Sequence, residues 1–175
     1  FIIAGEDSGD KLGAAIIDGL RNALEKSPTF VGIGGIGMQS RGMNSIFPLS
    51  ELSVMGFLEI ASQYKNLKKR LKQTVSCILD EQPDILLTID APEFCFRVAK
   101  RVKYLNKNIP IAHYVAPSVW AWRPKRAKKI SYFIDHVLAL FPFEPKYFHD
   151  VGLSCDFVGH PIVSESKASD KNVAE

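Results

Sequence analysis

An aspartate closes an apolar run at Ile89-Asp90-Ala91-Pro92, and a second carboxylate, Glu93, follows three residues later. A carboxylate at a strand end can take a proton from an attacking hydroxyl, its affinity tuned by partial burial and neighbouring charge. The same spacing also suits Asp90 as the cap of the next helix with Glu93 supporting it. A second concentration of chemistry is His113-Tyr114-Val115-Ala116-Pro117-Ser118-Val119-Trp120-Ala121-Trp122-Arg123, directly after the apolar residues 109–112. A histidine, a hydroxyl, two indoles and a guanidinium leaving one strand end suit a sugar or a phosphate better than a core. His113 reads either as a proton carrier or as a hydrogen-bonded strand-end histidine. Trp120 and Trp122 read as a sugar platform, as membrane-surface anchors or as core, and their polar, proline-bounded loop argues against full burial. Arg123 opens a basic helix and can pair with phosphate.

Two glycine-containing loops add to these. Gly5-Glu6-Asp7-Ser8-Gly9-Asp10 joins a strand to a helix, where glycine permits close approach and the helix start offers free N–H groups. Three carboxylates oppose phosphate there and favour hydroxyl recognition; the alternative is a capping loop with Ser8 or Asp10 as N-cap. Gly32-Ile33-Gly34-Gly35-Ile36-Gly37 matches the G-x-G-x-x-G dinucleotide fingerprint in form. The long amphipathic helix that should follow is interrupted by Gly42, so a glycine-rich turn is the better reading.

These groups need a scaffold that gathers strand ends. Periodicity predicts strands at residues 1–4, 30–33, 85–89, 109–115, 136–140 and 155–158, and helices at 10–25, 57–79, 94–105, 124–133 and 145–151. Repeated βα units predict an α/β fold, a mainly parallel sheet with helices on both faces. In such sheets ligands meet the carboxyl ends of the strands, where the loops described above lie.

With 175 residues, 46% of them hydrophobic and 23% charged, the chain can build one substantial core. The net charge is only +3. Basic residues nevertheless cluster at Lys65, Lys68, Lys69, Arg70 and Lys72, at Lys100, Arg101 and Lys103, and at Arg123, Lys125, Arg126, Lys128 and Lys129, which favours anionic partners. No zinc-finger, recognition-helix or RNA-binding aromatic pattern accompanies them, so nucleic acid is not expected. Cys77, Cys95 and Cys155 form no C-x-x-C pair, which points to neither a disulfide framework nor a zinc site and fits a reducing cytosol. No run of about 18 apolar residues is present. Leu52-Ser53-Val54-Met55-Gly56-Phe57-Leu58, however, is more apolar than one packing stripe requires and precedes lysines, as a membrane contact or acyl pocket would demand. A start at Phe1 within an apolar run and a polar stretch at 164–175 lead to the expectation of a fragment: one domain over 1–163, then a tail or the start of a linker.

Together these segments resemble the lipid-A-disaccharide synthase family, inverting glycosyltransferases of the GT-B fold. The resemblance rests on Ala4-Gly5-Glu6 with Ser8-Gly9-Asp10, Val54-Met55-Gly56, Ile89-Asp90-Ala91-Pro92, His113 to Arg123, Pro142-Phe143-Glu144 and Gly159-His160, in order along nearly the whole chain. It implies the Rossmann-like, acceptor-side half of a two-domain enzyme, with the UDP-binding carboxyl-terminal domain as its partner and no activity in isolation. The implied reaction joins UDP-diacylglucosamine to diacylglucosamine-1-phosphate in lipid A biosynthesis, without a metal or other cofactor, at the inner face of the Gram-negative inner membrane. Asp90 is the implied general base. Glu6, Ser8, Gly9, Asp10, Met55, Glu93, His113, Ser118, Trp120, Trp122 and Arg123 are the implied substrate contacts, with Glu6 and Asp10 facing the cleft and Arg123 near phosphate. Val54, Met55, Phe57 and Leu58 would meet acyl chains or bilayer. Close relatives often carry Asp-Phe-Asn after the Ala-Pro pair, where this chain has Glu93-Phe94-Cys95, so any hydrogen bond from that amide is lost. Two other readings stand beside this one: a non-catalytic membrane-surface lipid-binding module built on residues 54–72, and a nicotinamide-dependent oxidoreductase resting on residues 32–37 alone.

Overall fold

The computed structural model describes residues 1–52, 60–119 and 125–160, with only the backbone of 60–64. The elements are β1 (Ile2–Ala4), α1 (Asp7–Ala23), β2 (Val31–Ile33), α2 (Ile36–Gln39), β3 (Asn44–Ser45), a 3₁₀ turn (Leu49–Glu51), α3 (Ile60–Glu81), β4 (Leu86–Ile89), α4 (Pro92–Leu105), β5 (Ile111–Tyr114), α5 (Lys125–Ile130), β6 (His136–Ala139), α6 (Pro145–His149) and β7 (Ser154–Phe157). The strands form one seven-stranded sheet in the order β3-β2-β1-β4-β5-β6-β7, parallel at every pairing. The predicted α/β architecture is the one observed.

Period-two alternation divides the strand residues between two cores. Ile3, Ile33, Leu86, Ile111 and Val137 join residues of α3, α4, α5 and α6 on one face. Ile2, Ala4, Leu87, Ile89, Ala112 and Tyr114 join α1 and Met38 of α2 on the other. Helix α3 is tied to the 3₁₀ turn by Arg70, which grips both oxygens of Glu51 at 2.6 and 2.5 Å and lies over the Phe47 ring at 4.8 Å.

Two elements differ from expectation. The stretch read as a loop contains the short helix α2, and the polar pair Asn44–Ser45 is the edge strand, pairing with Val31 and Gly32. Neither has an apolar period to reveal it; β3 is held by backbone pairing. Strand β5 ends at Tyr114, not Val115, because Val115 has a φ of 74°.

The strand order reverses direction at β1: the chain builds outward through β2 and β3, then returns to place β4 on the other side of β1. Ala4 and Ile89 are register partners there, so the loops after β1 and β4 leave the sheet side by side. Such a switch point opens a crevice at the strand ends.

Candidate functional site at the ends of β1, β4 and β5

The exit from β4 is built from backbone that L-residues rarely adopt. Asp90 and Ala91 have φ values of 50° and 41°, and Val115, at the end of the neighbouring β5, has 74°. Each such residue costs of the order of 1–3 kcal/mol and persists only where its surroundings impose it. The ladder imposes it here: Asp90 N–H donates to Tyr114 O at 3.0 Å, and Val115 N–H donates to Leu138 O at 3.1 Å. Pairing thus continues to the last residue of each strand, and the chain must turn within one residue to enter α4 or the next loop. From the β1 side, a Cβ on Gly5 would lie 2.1 Å from Ala91 Cβ, so glycine is what lets the two loops touch.

This geometry places Asp90 half-buried at the switch point. The N-cap of α4 is Ala91, without a side-chain capping bond, and its carbonyl accepts from Phe94 N and Cys95 N at 3.1 and 3.0 Å. Asp90 therefore does not cap the helix. No salt bridge among the described residues engages its carboxylate either. Cys95 lies beneath it, wholly buried, with Sγ 4.0 Å from Ile89 O. Burial above all, and then the charge of Asp90, pushes the Cys95 thiol upward, so it stays protonated. Glu93 points outward and pairs loosely with Arg97, one turn on, at 3.6 Å.

The β1 loop is not the capping loop that the sequence allowed. Glu6 is the N-cap of α1 and makes no side-chain capping bond, so neither Ser8 nor Asp10 caps that helix. Glu6 and Ser8 are exposed, and Gly9 is buried. Asp10, only 7% exposed, turns away to the glycine-rich loop. Its Oδ1 accepts from Gly35 N at 2.8 Å and Met38 N at 3.1 Å, and its Oδ2 accepts from Gly37 N at 2.8 Å. The carboxylate fills the cradle that a G-x-G-x-x-G loop would offer a pyrophosphate, since Cβ atoms on Gly35 and Gly37 would lie 2.7 and 2.8 Å from its Oδ2. The oxidoreductase reading loses its only support. Asp10 shapes the site by fixing the two loops together, both of its oxygens engaged.

His113 is 1% exposed. Burial, and secondarily the Arg126 cation, pulls its pKa down to about 3, so the ring is neutral at ordinary pH. Its Nδ1 lies 2.8 Å from Thr88 Oγ1, and that hydroxyl donates to Ala112 O at 3.2 Å. Phe96 packs on the imidazole at 4.7 Å between centroids, and Arg126 lies over Phe96 at 5.6 Å. Of the two roles open to His113 from sequence, the structure supports the hydrogen-bonded strand-end histidine, which braces β4 against β5 one residue before their turns.

The loops after β1 and β4 thus carry Gly5, Glu6 and Asp90 to the same strand ends, with Ser8 in the first turn of α1; Asp10 and His113 are buried, and Ser118 is exposed on the loop after β5. Met55, Val54, Phe57, Leu58, Trp120, Trp122 and Arg123 lie outside the described residues. Two supporting groups had no role assigned from sequence. Thr88 is a wholly buried hydroxyl in an apolar strand, a legible signal. Glu144, 3% exposed, accepts from Leu140 N and Phe141 N through Oε2 at 3.1 and 2.9 Å and so closes the turn after β6.

Comparison with known proteins brings one family into view. A family model described as "Lipid-A-disaccharide synthetase" matches residues 1–175. The lipid-A-disaccharide synthase of Ruegeria pomeroyi is 51% identical over 174 residues, 99% of this chain and 43% of that protein. That of Rhodospirillum centenum is 50% identical over 163 residues, 93% of this chain and 41% of the relative, and that of Nitrobacter hamburgensis 43% over 166 residues, 94% and 42%. The chain spans about two-fifths of the length of these relatives.

Proposed function

The chain belongs to the lipid-A-disaccharide synthetase family, and from that premise we propose that it supplies the acceptor-side half of a lipid A glycosyltransferase, with Asp90 as its general base. The single observation that carries this reading is the placement of Asp90: half-buried, outside any salt bridge among the described residues, and held in a left-handed turn where the strand order reverses.

The substrates follow from the family resemblance: UDP-diacylglucosamine as donor and diacylglucosamine-1-phosphate as acceptor. The acceptor hydroxyl gives its proton to the Asp90 carboxylate as its oxygen forms the new bond to the donor's anomeric carbon. The bond from that carbon to the UDP oxygen breaks on the opposite face, which inverts the centre to the β-linkage and releases UDP. Exposed Glu6 and Ser8 line the mouth and bind hydroxyls. Ser118, Trp120, Trp122 and Arg123 take sugar and phosphate from the β5 side. His113 and Asp10 hold those walls rather than touch the reacting atoms. Residues 1–163 are the domain that does this, and 164–175 are a polar tail or the start of a linker to a UDP-binding domain.

Val54, Met55, Phe57 and Leu58 bring the site to the bilayer, on the cytoplasmic face of the inner membrane. No helix among the described residues is long and apolar enough to cross it. The test is Asp90→Asn in the full-length polypeptide, read by UDP release with both lipid substrates. Turnover falls by about 10²–10⁴-fold if Asp90 is the base, with the circular dichroism and melting transition of the parent. Full activity in that variant removes Asp90 from the chemistry.

A further inference from the structure

Away from the strand ends, α3 and α4 lie on the same face of the sheet with a groove of about 700 Å³ between them. That is within the range of about 300–1,000 Å³ in which small molecules are held. Its floor is aliphatic: Leu71, Val75 and Leu79 repeat at helical spacing along α3, and Leu105 closes the far end from α4. Val75 is 5% exposed and Leu105 47%, so the floor rises from core to surface along its length. A smaller hollow of about 140 Å³ shares Lys68, Leu71 and Arg97 with it and extends it to Phe94, in the first turn of α4.

The rim has one sign. Lys68 and Lys72 stand on the α3 side and Arg97, Lys100 and Arg101 on the α4 side, and no carboxylate among the described residues lines the groove. Lys68, Lys72, Lys100 and Arg101 enter no salt bridge among the described residues. Two acids flank the groove: Asp80 accepts from Ser76 at 3.4 Å, and Glu93 meets Arg97 at 3.6 Å with both side chains more than half exposed, which leaves that guanidinium available. Arg101 is steadied over the Tyr104 ring at 5.6 Å.

A ligand for this groove must be long and apolar along one part and anionic at the other. Nucleic acid would leave the aliphatic floor wet, and a neutral lipid would leave five cations unanswered. We infer that the α3–α4 groove binds one acyl chain of an anionic bilayer phospholipid, its phosphate held by the Arg97–Lys100–Arg101 edge. The site lies on the helical face rather than at the strand ends, and it goes beyond the transferase reading without depending on it.

The experiment uses the full-length polypeptide with vesicles of phosphatidylcholine, with and without phosphatidylglycerol, and counts phospholipid retained per chain by native mass spectrometry. Two variants attack the groove separately. Lys100→Glu with Arg101→Glu reverses the rim, and Ser76→Trp, at an exposed lining position, fills the trough at constant charge. The first is expected to weaken binding to phosphatidylglycerol vesicles by at least about tenfold, and both are expected to lose the one-to-one retained phosphatidylglycerol. Turnover with substrates presented in detergent micelles stays at the parental level. Retention of the lipid by Ser76→Trp, equal binding of parent and rim variant, or equal binding to pure phosphatidylcholine each overturns the inference. Absence of turnover in the parent, with lipid retention intact, strikes the transferase reading alone.

Discussion

Gly5 and Ala91 meet across the boundary of β1 and β4 with no room for a second methyl: a Cβ on Gly5 would sit 2.1 Å from that of Ala91. The contact sets how closely the first loop approaches the turn that carries Asp90. Gly5→Ala is expected to destabilise the protein by about 2–3 kcal/mol, since one loop or the other must shift. Ala91→Gly removes the opposing methyl and also relieves a residue at φ 41°. The double variant is therefore expected to recover most of the loss in urea denaturation. An unrepaired double variant would mean that the clash is not the cause.

Asp10 makes the second prediction. Its three backbone partners lie 25 to 28 residues away, and removing the carboxylate leaves Gly35, Gly37 and Met38 N–H groups unmatched near the core. Asp10→Ala is expected to cost about 2–4 kcal/mol. Asp10→Asn, which retains one acceptor oxygen, should cost less. Equal losses in the two variants, by denaturant melts at one pH, would contradict the bidentate account.

The third concerns acid. The His113 pKa is pulled down to about 3 in the folded protein from an ordinary value of 6.5, so between those values the unfolded chain binds a proton that the native state refuses. The contribution of His113 to stability is complete above pH 6.5 and declines as pH falls toward 3, with a slope approaching about 1.4 kcal/mol per pH unit. His113→Phe keeps the aromatic contact with Phe96 and leaves Thr88 its bond to Ala112 O. It is expected to flatten the acid limb by close to one proton, measured as the pH dependence of unfolding free energy. An unchanged slope would place the titration elsewhere.

Thiol chemistry gives the fourth. Cys95 is 0% and Cys155 2% exposed. Burial first, and then nearby carboxylates, pushes the Cys155 thiol up to about 12. Cys77, only partly buried, is also raised, by burial and then Glu81 and Asp80. Iodoacetamide near neutral pH is expected to label Cys77 slowly and the other two only on unfolding. Peptide mapping after limited alkylation reads the order, and early modification of Cys95 would show that the floor under Asp90 opens readily.

The helix and strand rhythm was legible because four-residue apolar runs such as Leu86–Ile89 alternate with amphipathic helices such as Pro92–Leu105. The strand-end location of Asp90 was legible for the same reason. Its left-handed turn was not, because neither Asp90 nor Ala91 is a glycine and only the tight ladder beside Tyr114 forces the conformation. Strand β3 has two polar residues and no period to detect. The role of Asp10 escaped a local reading because its partners belong to another loop, so a carboxylate near a helix start looked like a cap for its own helix. His113 was placed correctly at a strand end, but its proton state depends on Phe96 and Arg126 packing from beyond the strand.

The cradle around Asp10 has a consequence for life in a crowded cell. A glycine loop at a helix start would ordinarily be open to the abundant adenine dinucleotides and triphosphates. Here the position is taken by a tethered carboxylate with a high effective concentration, and displacing it would mean breaking three hydrogen bonds. The domain keeps a glycine-rich turn there while offering an incoming phosphate no free N–H cradle at that spot.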